Sequence, residues 1–272
     1  EPDKGIYDAM NKGLRRARGR YVALLNADDQ LYPDFVTHSV AALLRSDADI
    51  SYCNYNTEDH AVYVADINPG LLLSQLGIKH NTFLMHRRCF DQVGGFDTHL
   101  KVVADAKWNR TAYAAGLTFE KVDGLHVFYS TRGLSSAATQ ADRDRIIRES
   151  TELLIDSFPQ LHPDQARTLY LSNFNTHKHQ AIMDLHRKMA LGAPLLSEMI
   201  AEATRWNLRN RAGYRLNAKD ADQTVRVIAL AQYFDVQLTE LVFDNTEENR
   251  TQNETIAAFF KTLARAEAQK AT

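Results

Sequence analysis

The 272-residue chain has only two cysteines, six prolines and two tryptophans. Cys53 and Cys89 have neither the spacing of a zinc site nor that of a disulfide framework, which excludes a stapled secreted module and points to reduced, intracellular thiols. An excess of one charge is also missing. Lysine and arginine total 32 against 34 acids, a formal net charge of -2, so there is no global electrostatic case for a nucleic-acid partner. No window approaches the ~18 consecutive apolar residues of a membrane span, and no charged-then-apolar leader opens the chain. A soluble, cytoplasmic protein is the expectation. Glycine is nearly absent from the second half: ten of twelve precede residue 140. The chain therefore divides into a loop-rich α/β part, residues 1–140, and a helical extension, residues 141–272. Neither an internal repeat nor a low-complexity segment interrupts it.

What is present is concentrated at the start, EPDKGIYDAMNKGLRRARGRYVALLNADD. Ile6, Met10, Gly13, Leu14 and Ala17 recur at helical intervals, and Gly19 stands where such a helix stops. Arg15, Arg16, Arg18 and Arg20 cluster at its end, where cations complement the helix dipole. Tyr21 to Leu25 is continuously apolar, as a strand covered on both faces would be. Asn26, Asp28 and Asp29 follow it, and a strand end of this kind is where α/β proteins place ligands. Further along, helices are predicted over 33–44, 87–93 and 104–115, and a short helix or turn over 69–76. Strands are predicted over 49–54, 62–66, 82–86, 117–122 and 125–129. The extension reads as helices over 143–158, 163–172, 179–191, 194–207, 220–234 and 253–268, punctuated by Pro159, Pro163, Gly192, Pro194 and Gly213.

Paired acids after a buried strand suit a divalent cation. Mg²⁺ or Mn²⁺ takes oxygen ligands, commonly one or two protein carboxylates, and fills its other positions with phosphate oxygens and water. Adjacent acids cannot point the same way along a strand, so one of Asp28 and Asp29 would ligate while the other positions a bound group. A solvated turn capping the next helix is the competing reading.

The same stretch resembles family 2 glycosyltransferases of the GT-A fold. Further matches come in order: Lys79-His-Asn-Thr-Phe-Leu-Met-His-Arg-Arg88, Val93-Gly-Gly-Phe-Asp97, Val103-Ala-Asp-Ala-Lys-Trp-Asn-Arg110 and Arg132-Gly-Leu-Ser-Ser136. They cover about half of the chain, and nothing after Ala141 contributes. The resemblance implies a Rossmann-like, mixed sheet flanked by helices for residues 1–140, followed by an all-helical extension. It also implies an upstream segment of about 60–80 residues, carrying a first strand and an acidic turn for the nucleotide base, by analogy with βαβ units.

For individual residues the resemblance implies Asp29 as the better metal ligand, with Asp28 on metal and donor. Asp3, Lys4 and Asn11 are implied to face the nucleotide or donor sugar, although Asp3 also suits a helix N-cap and Lys4 a solvated lysine. Asp105 is the implied general base: in an inverting transfer a carboxylate within hydrogen-bond reach takes the proton of the attacking hydroxyl. Many relatives read Glu-Asp there; this chain reads Ala104-Asp105, so only the aspartate carries over, and it also suits the N-cap of its helix. His80 and Trp108 are implied beside the acceptor, against readings as a satisfied histidine and a core tryptophan. Arg132 is implied on the diphosphate through a loop in which Gly133 permits close approach. Arg110 could orient the base or bind phosphate, and His126 could complete the metal shell. His177, His179 and His186 lack the four-residue spacing of helical metal ligands and are expected to be solvated.

The function expected is therefore an inverting, metal-dependent transfer of a sugar from a nucleotide-diphosphate donor, a UDP-sugar, to a hydroxyl of a glycan or lipid-linked acceptor in polysaccharide or glycoconjugate biosynthesis. A non-catalytic sugar-nucleotide or glycan-binding module is the rival, and a nucleotidyltransferase on a related fold a weaker one. The helical extension, with its Phe259-Phe260 pair, is open to roles in acceptor recognition, peripheral docking at the inner face of the membrane, or dimerisation.

Overall fold

The computed structural model describes residues 2–64, 66–68, 70, 72, 78–133, 139–217 and 220–242. The helix expected over 253–268, Phe259-Phe260 and Leu134 to Ser136 lie outside them, as does most of the 69–76 segment. Two compact units partition the chain: residues 1–68 with 75–153, and residues 69–74 with 154–272.

The first unit is α/β. Its strands are β1 (Tyr21–Ala23), β2 (Gln30–Leu31), β3 (Ile50–Asn56), β4 (Ala61–Val62), β5 (Phe83–His86) and β6 (Phe119–Phe128). They form one sheet in the order β1-β5-β3-β6-β2, with β4 on β3. The β3–β6 pair is parallel and the others antiparallel, so the sheet is mixed, as expected. Helices α1 (Ile6–Arg16), α2 (Phe35–Ser46), α3 (Arg87–Val93), α4 (Ala104–Ala114) and the start of α5 (Gln140–Ser157) complete it.

Strand alternation sends side chains to two cores. Ile50 and Tyr52 of β3 and Phe83 and Met85 of β5 join Tyr7, Met10 and Leu14 of α1 and Trp108 of α4. Their neighbours Cys53, Tyr55 and Leu84 join Phe35, Ala42 and Leu43 of α2 on the opposite face. Cys53 and Cys89 are buried and free. Burial pushes their thiols up to about 12 and about 11, so neither is a thiolate nucleophile at neutral pH.

Two expectations change. The strand read over Tyr21 to Leu25 ends at Ala23, with Val22 buried and Ala23 and Leu25 exposed in this chain. It pairs β5 antiparallel. The two strands read over 117–129 are one, β6, whose register against β3 slips between Val122 and Leu125 and again before Val127. The slip is a bulge at Asp123-Gly124, and Gly124 has φ +98, which suits glycine.

The second unit is helical among its described residues: the end of α5, α6 (Pro163–Ser172), α7 (His179–Gly192), α8 (Pro194–Asn210) and α9 (Ala221–Tyr233). Pro163 takes the first turn of α6, where His162 and Gln165 form a reciprocal cap. Ile182, Leu185, Leu196, Ile200, Val227 and Leu230 are buried at helical spacing. His186 is not solvated as expected: its Nδ1 lies 2.9 Å from the Tyr233 hydroxyl, and its ring meets Tyr233 and Phe234 edge-on. No helix among the described residues is long and apolar enough to cross a membrane.

Candidate functional site

The site grows from the turn after β1. Ala27 and Asp28 form its tip, and the Asp29 amide closes it by donating to the Asn26 carbonyl at 3.2 Å. Asp28 is exposed while Asp29 is 6% exposed. Burying a carboxylate demands donors, and Asp29 has three. Its Oδ1 accepts from the Ser130 amide at 2.9 Å, and its Oδ2 accepts from Asn26 at 3.0 Å and Asn81 at 2.9 Å. Asp29 thus ties the turn after β1 to the segment after β6 and to the 3₁₀ turn His80–Thr82 before β5.

Asp105 stands in the first turn of α4. Its Oδ2 lies 3.2 Å from His80 Nδ1, and its Oδ1 accepts from the Ala106 amide at 2.9 Å. On the far side of the ring, His80 Nε2 is 3.1 Å from the Asn26 amide nitrogen. His80 Nδ1 donates to Asp105, and the Asn26 side-chain oxygen also lies 3.3 Å from Nε2. The Asn26 side chain thus spans from His80 Nε2 to Asp29, to which its amide nitrogen donates. One continuous hydrogen-bonded chain, Asp105–His80–Asn26–Asp29, joins the two carboxylates. Burial pushes the Asp105 carboxyl up, but the hydrogen bond and charge of His80, the charge of Lys79 and the Ala106 amide outweigh it and hold it below the usual range. At neutral pH it is an anion.

The loop that delivers Asp105 is itself anchored. Glu149 of α5 is 5% exposed, and its carboxylate accepts from the amides of Lys101 at 3.0 Å and Val102 at 2.9 Å. The Tyr7 hydroxyl donates to the Val102 carbonyl at 2.7 Å and lies 3.5 Å from Asp105 Oδ1. Burial drives the Tyr7 phenol far above its ordinary pKa, so it remains a donor. Opposite, Glu58 accepts from the Thr131 amide and hydroxyl and the Ser130 hydroxyl. Those bonds, the Thr131 amide first, lower its carboxyl to about 2.

The other candidates fall into two groups. Asp3 and Lys4 are exposed before α1, and Arg132 is exposed beside Glu58, with Gly133 close to the Asp28 carboxylate. Asp3 does not cap α1; the N-cap is Gly5, and Asp3 Oδ1 accepts from the Gly5 amide at 3.0 Å. Asn11 and Trp108 are buried away from any open surface. Asn11 clamps the Phe96 backbone, donating to its carbonyl and accepting from its amide, both at 2.8 Å. Gly95 admits this clamp, since a Cβ there would meet Asn11 Oδ1 at 2.6 Å. Trp108 is 3% exposed, its indole N–H donating to the Gly94 carbonyl at 2.9 Å and its ring against Phe83 and Phe96. It has no face open to a sugar. Arg110 donates to the Leu153 carbonyl at 3.3 Å, and burial lowers its pKa to about 10. His126 is engaged through both ring nitrogens, Nδ1 with Asp34 and Nε2 with the Asp123 carbonyl.

Sequence reading missed Asn26 as a connector, and Asn81, Ser130, Glu58 and Glu149 altogether. Asn26 and Asn81 lay inside motifs already singled out, and that was the available signal. Glu149 carried none, because its partners are 47 and 48 positions away.

Residues 1–96 match the family model described as glycosyl transferase family 2. A "PGL/p-HBAD biosynthesis glycosyltransferase" of Mycobacterium bovis is 30% identical over 114 residues, covering 40% of this chain and 44% of that protein. An uncharacterized glycosyltransferase of Rickettsia prowazekii is 31% identical over 117 residues, covering 37% and 36%. The chain thus spans less than half the length of these curated relatives. Among solved structures, S. aureus TarS 1-349 in complex with UDP-GlcNAc aligns with TM-score 0.45 at 15% identity, covering 92% of this chain and 73% of that one. The mannosyltransferase PcManGT from Pyrobaculum calidifontis, in complex with GDP-Man and Mn2+, aligns with TM-score 0.43 at 15% identity, covering 86% and 65%. By these matches residues 1–96 are similar to glycosyl transferase family 2, and the curated relatives that align with part of the chain are glycosyltransferases.

Proposed function

We propose that this chain carries the catalytic region of an inverting glycosyltransferase that moves a sugar from a nucleotide-diphosphate donor, a UDP-sugar, to a hydroxyl of a glycan or lipid-linked acceptor. The observation that carries this reading is the hydrogen-bonded chain from Asp105 through His80 and Asn26 to Asp29, of which His80, Asn26 and Asp29 lie in the segment that matches the family. It couples a base to a ligand-bearing turn in one preorganised unit.

In this reading Asp105 accepts the proton of the attacking hydroxyl as the bond to the anomeric carbon forms. His80 positions that carboxylate and keeps it ionised. Asp28 offers both oxygens to solvent at the tip of the turn. Asp29 has about four lone-pair sites and three are taken by N–H groups, which leaves one on Oδ1. One open carboxylate and part of a second fit Mn²⁺ or Mg²⁺, which would offset charge on the departing diphosphate when bound. Arg132 and Lys4, both exposed, supply positive charge toward the donor, and Asp3 a hydrogen-bond acceptor. Asn11 and Trp108 act through the fold: they fix the Gly94 to Phe96 turn against α1 and α4.

Incubating the full-length gene product with a panel of UDP-sugars, Mn²⁺ and candidate acceptors tests the proposal. Mass spectrometry should find a glycosylated acceptor, and NMR should find the anomeric configuration opposite to the donor's. Nucleotide binding without turnover across the panel would favour a binding module instead, and a product of retained configuration would remove Asp105 from the role of base.

A further inference from the structure

Asp34 and His38 stand four residues apart at the start of α2, so they share one face of the helix. Asp34 occupies the N-cap position yet makes no capping hydrogen bond. Its carboxylate is turned instead toward two imidazoles. Oδ1 lies 3.0 Å from Nδ1 of His126 on β6, and Oδ2 lies 3.5 Å from Nδ1 of His38. The two rings are 4.8 Å apart, and one ligating atom from each of the three residues falls within 4.8 Å of the others.

The protonation of His126 is constrained by its far nitrogen. Nε2 is 2.7 Å from the Asp123 carbonyl oxygen, which can only accept, so Nε2 carries the proton. Nδ1 faces the Asp34 carboxylate oxygen at 3.0 Å. A cation held between them would have an imidazole nitrogen on one side and a carboxylate oxygen on the other. A backbone carbonyl on the far ring nitrogen is also the usual support of a metal-bound histidine, fixing its tautomer and orientation.

The backbone is shaped to provide this support. The β6 bulge brings the Asp123 carbonyl onto the ring, and a Cβ on Gly124 would stand 2.8 Å from His126 Nε2. His126 is 4% exposed, whereas Asp34 and His38 are open to solvent. Two imidazole nitrogens and one carboxylate suit a cation of the zinc type better than Mg²⁺. Bonds of about 2.0–2.1 Å in a tetrahedral site separate ligands by roughly 3.3 Å, so a bound ion would draw the three ligand atoms, which lie within 4.8 Å of one another, closer together.

We infer that Asp34, His38 and His126 form a binding site for a zinc-type divalent cation, with a position left for water and apart from the Asp28-Asp29 turn. The ion would clip the start of α2 to the β6 bulge, where the Tyr32 amide already donates to the His126 carbonyl at 2.9 Å. It would thereby brace the chain that leaves the Asp28-Asp29 turn. This inference does not depend on glycosyl transfer.

Metal-free protein titrated with Zn²⁺ by calorimetry, and with Co²⁺ followed by its visible absorption, provides the test. One equivalent should bind, with the intense visible bands of tetrahedral Co²⁺ and a raised melting temperature. His38→Ala, an exposed change that leaves the core untouched, should weaken binding at least about tenfold, the scale on which the supports of a metal site act. His126→Gln should do the same, and Asp28→Asn should leave it unchanged. Absence of binding in the wild type, or equal affinity in His38→Ala, would overturn the site. Loss of binding in Asp28→Asn alone would move the ion to the other turn and overturn it as well.

Discussion

Nδ1 of His80 lies 3.2 Å from Oδ2 of Asp105, and this single contact connects the two ends of the site. It holds the proposed base ionised, and through Asn26 it reaches the carboxylate that organises the turn after β1.

Removing that contact should change the pH profile before it changes the fold. His80 lowers the Asp105 pKa by hydrogen bond and charge, so without it the carboxylate is harder to ionise. In His80→Ala, the acidic limb of kcat/KM should move to higher pH, and kcat at neutral pH should fall. An acid limb that stays in place would separate His80 from the base.

Glu149 should control Asp105 from a distance. Glu149→Ala leaves the part-buried amides of Lys101 and Val102 without their acceptor, which costs about 1 kcal/mol or more. Urea denaturation should register that loss. In the full-length enzyme kcat should fall more than KM rises, because Val102 leads directly into the turn that carries Asp105.

Trp108 separates a core role from a sugar platform. Trp108→Ala should cost about 3–5 kcal/mol of stability, as large aromatic deletions in a core do. Trp108→Phe should cost less and leave acceptor KM unchanged, which is measurable by steady-state kinetics.

Glu58 should contribute to acid sensitivity. Its carboxyl falls from an ordinary 4.5 to about 2 through the bonds from Thr131 and Ser130. Between those values the unfolded chain binds the proton and the folded chain does not, so stability rises with pH across that window. What Glu58 contributes is fully present above about pH 4.5 and is lost as the pH falls toward about 2. Melting curves of Glu58→Gln should show a shallower acid dependence than the wild type over that range.

Local pattern carried much of the fold. The helices α1, α3, α6 and α7 start where the sequence pattern places them, and the strand β5 one residue later than read, because these signals act within a few residues. The end of β1 at Ala23 was not legible, since the apolar run continues unbroken to Leu25. The β6 bulge was read as a break between two strands because Gly124 signals an interruption and not its kind. In the site, Asp28, Asp29, Asp105 and His80 were legible from motif and resemblance. Their connection was not: Ser130 reaches Asp29 across 101 positions and His80 reaches Asn26 across 54. The Asp34-His38 spacing was visible in the sequence, but its partner His126 is 92 positions from Asp34 and comes to it only through the bulge.

The account rests most directly on Asp105 as the base. Single-turnover sugar transfer by full-length Asp105→Asn, beside calorimetry of nucleotide and Mn²⁺ binding, tests it. The account predicts a loss of about 10²–10⁴-fold in the transfer rate, the scale of general-base catalysis, with nucleotide affinity within a few-fold of the wild type. Transfer at a near-normal rate by that variant would contradict it.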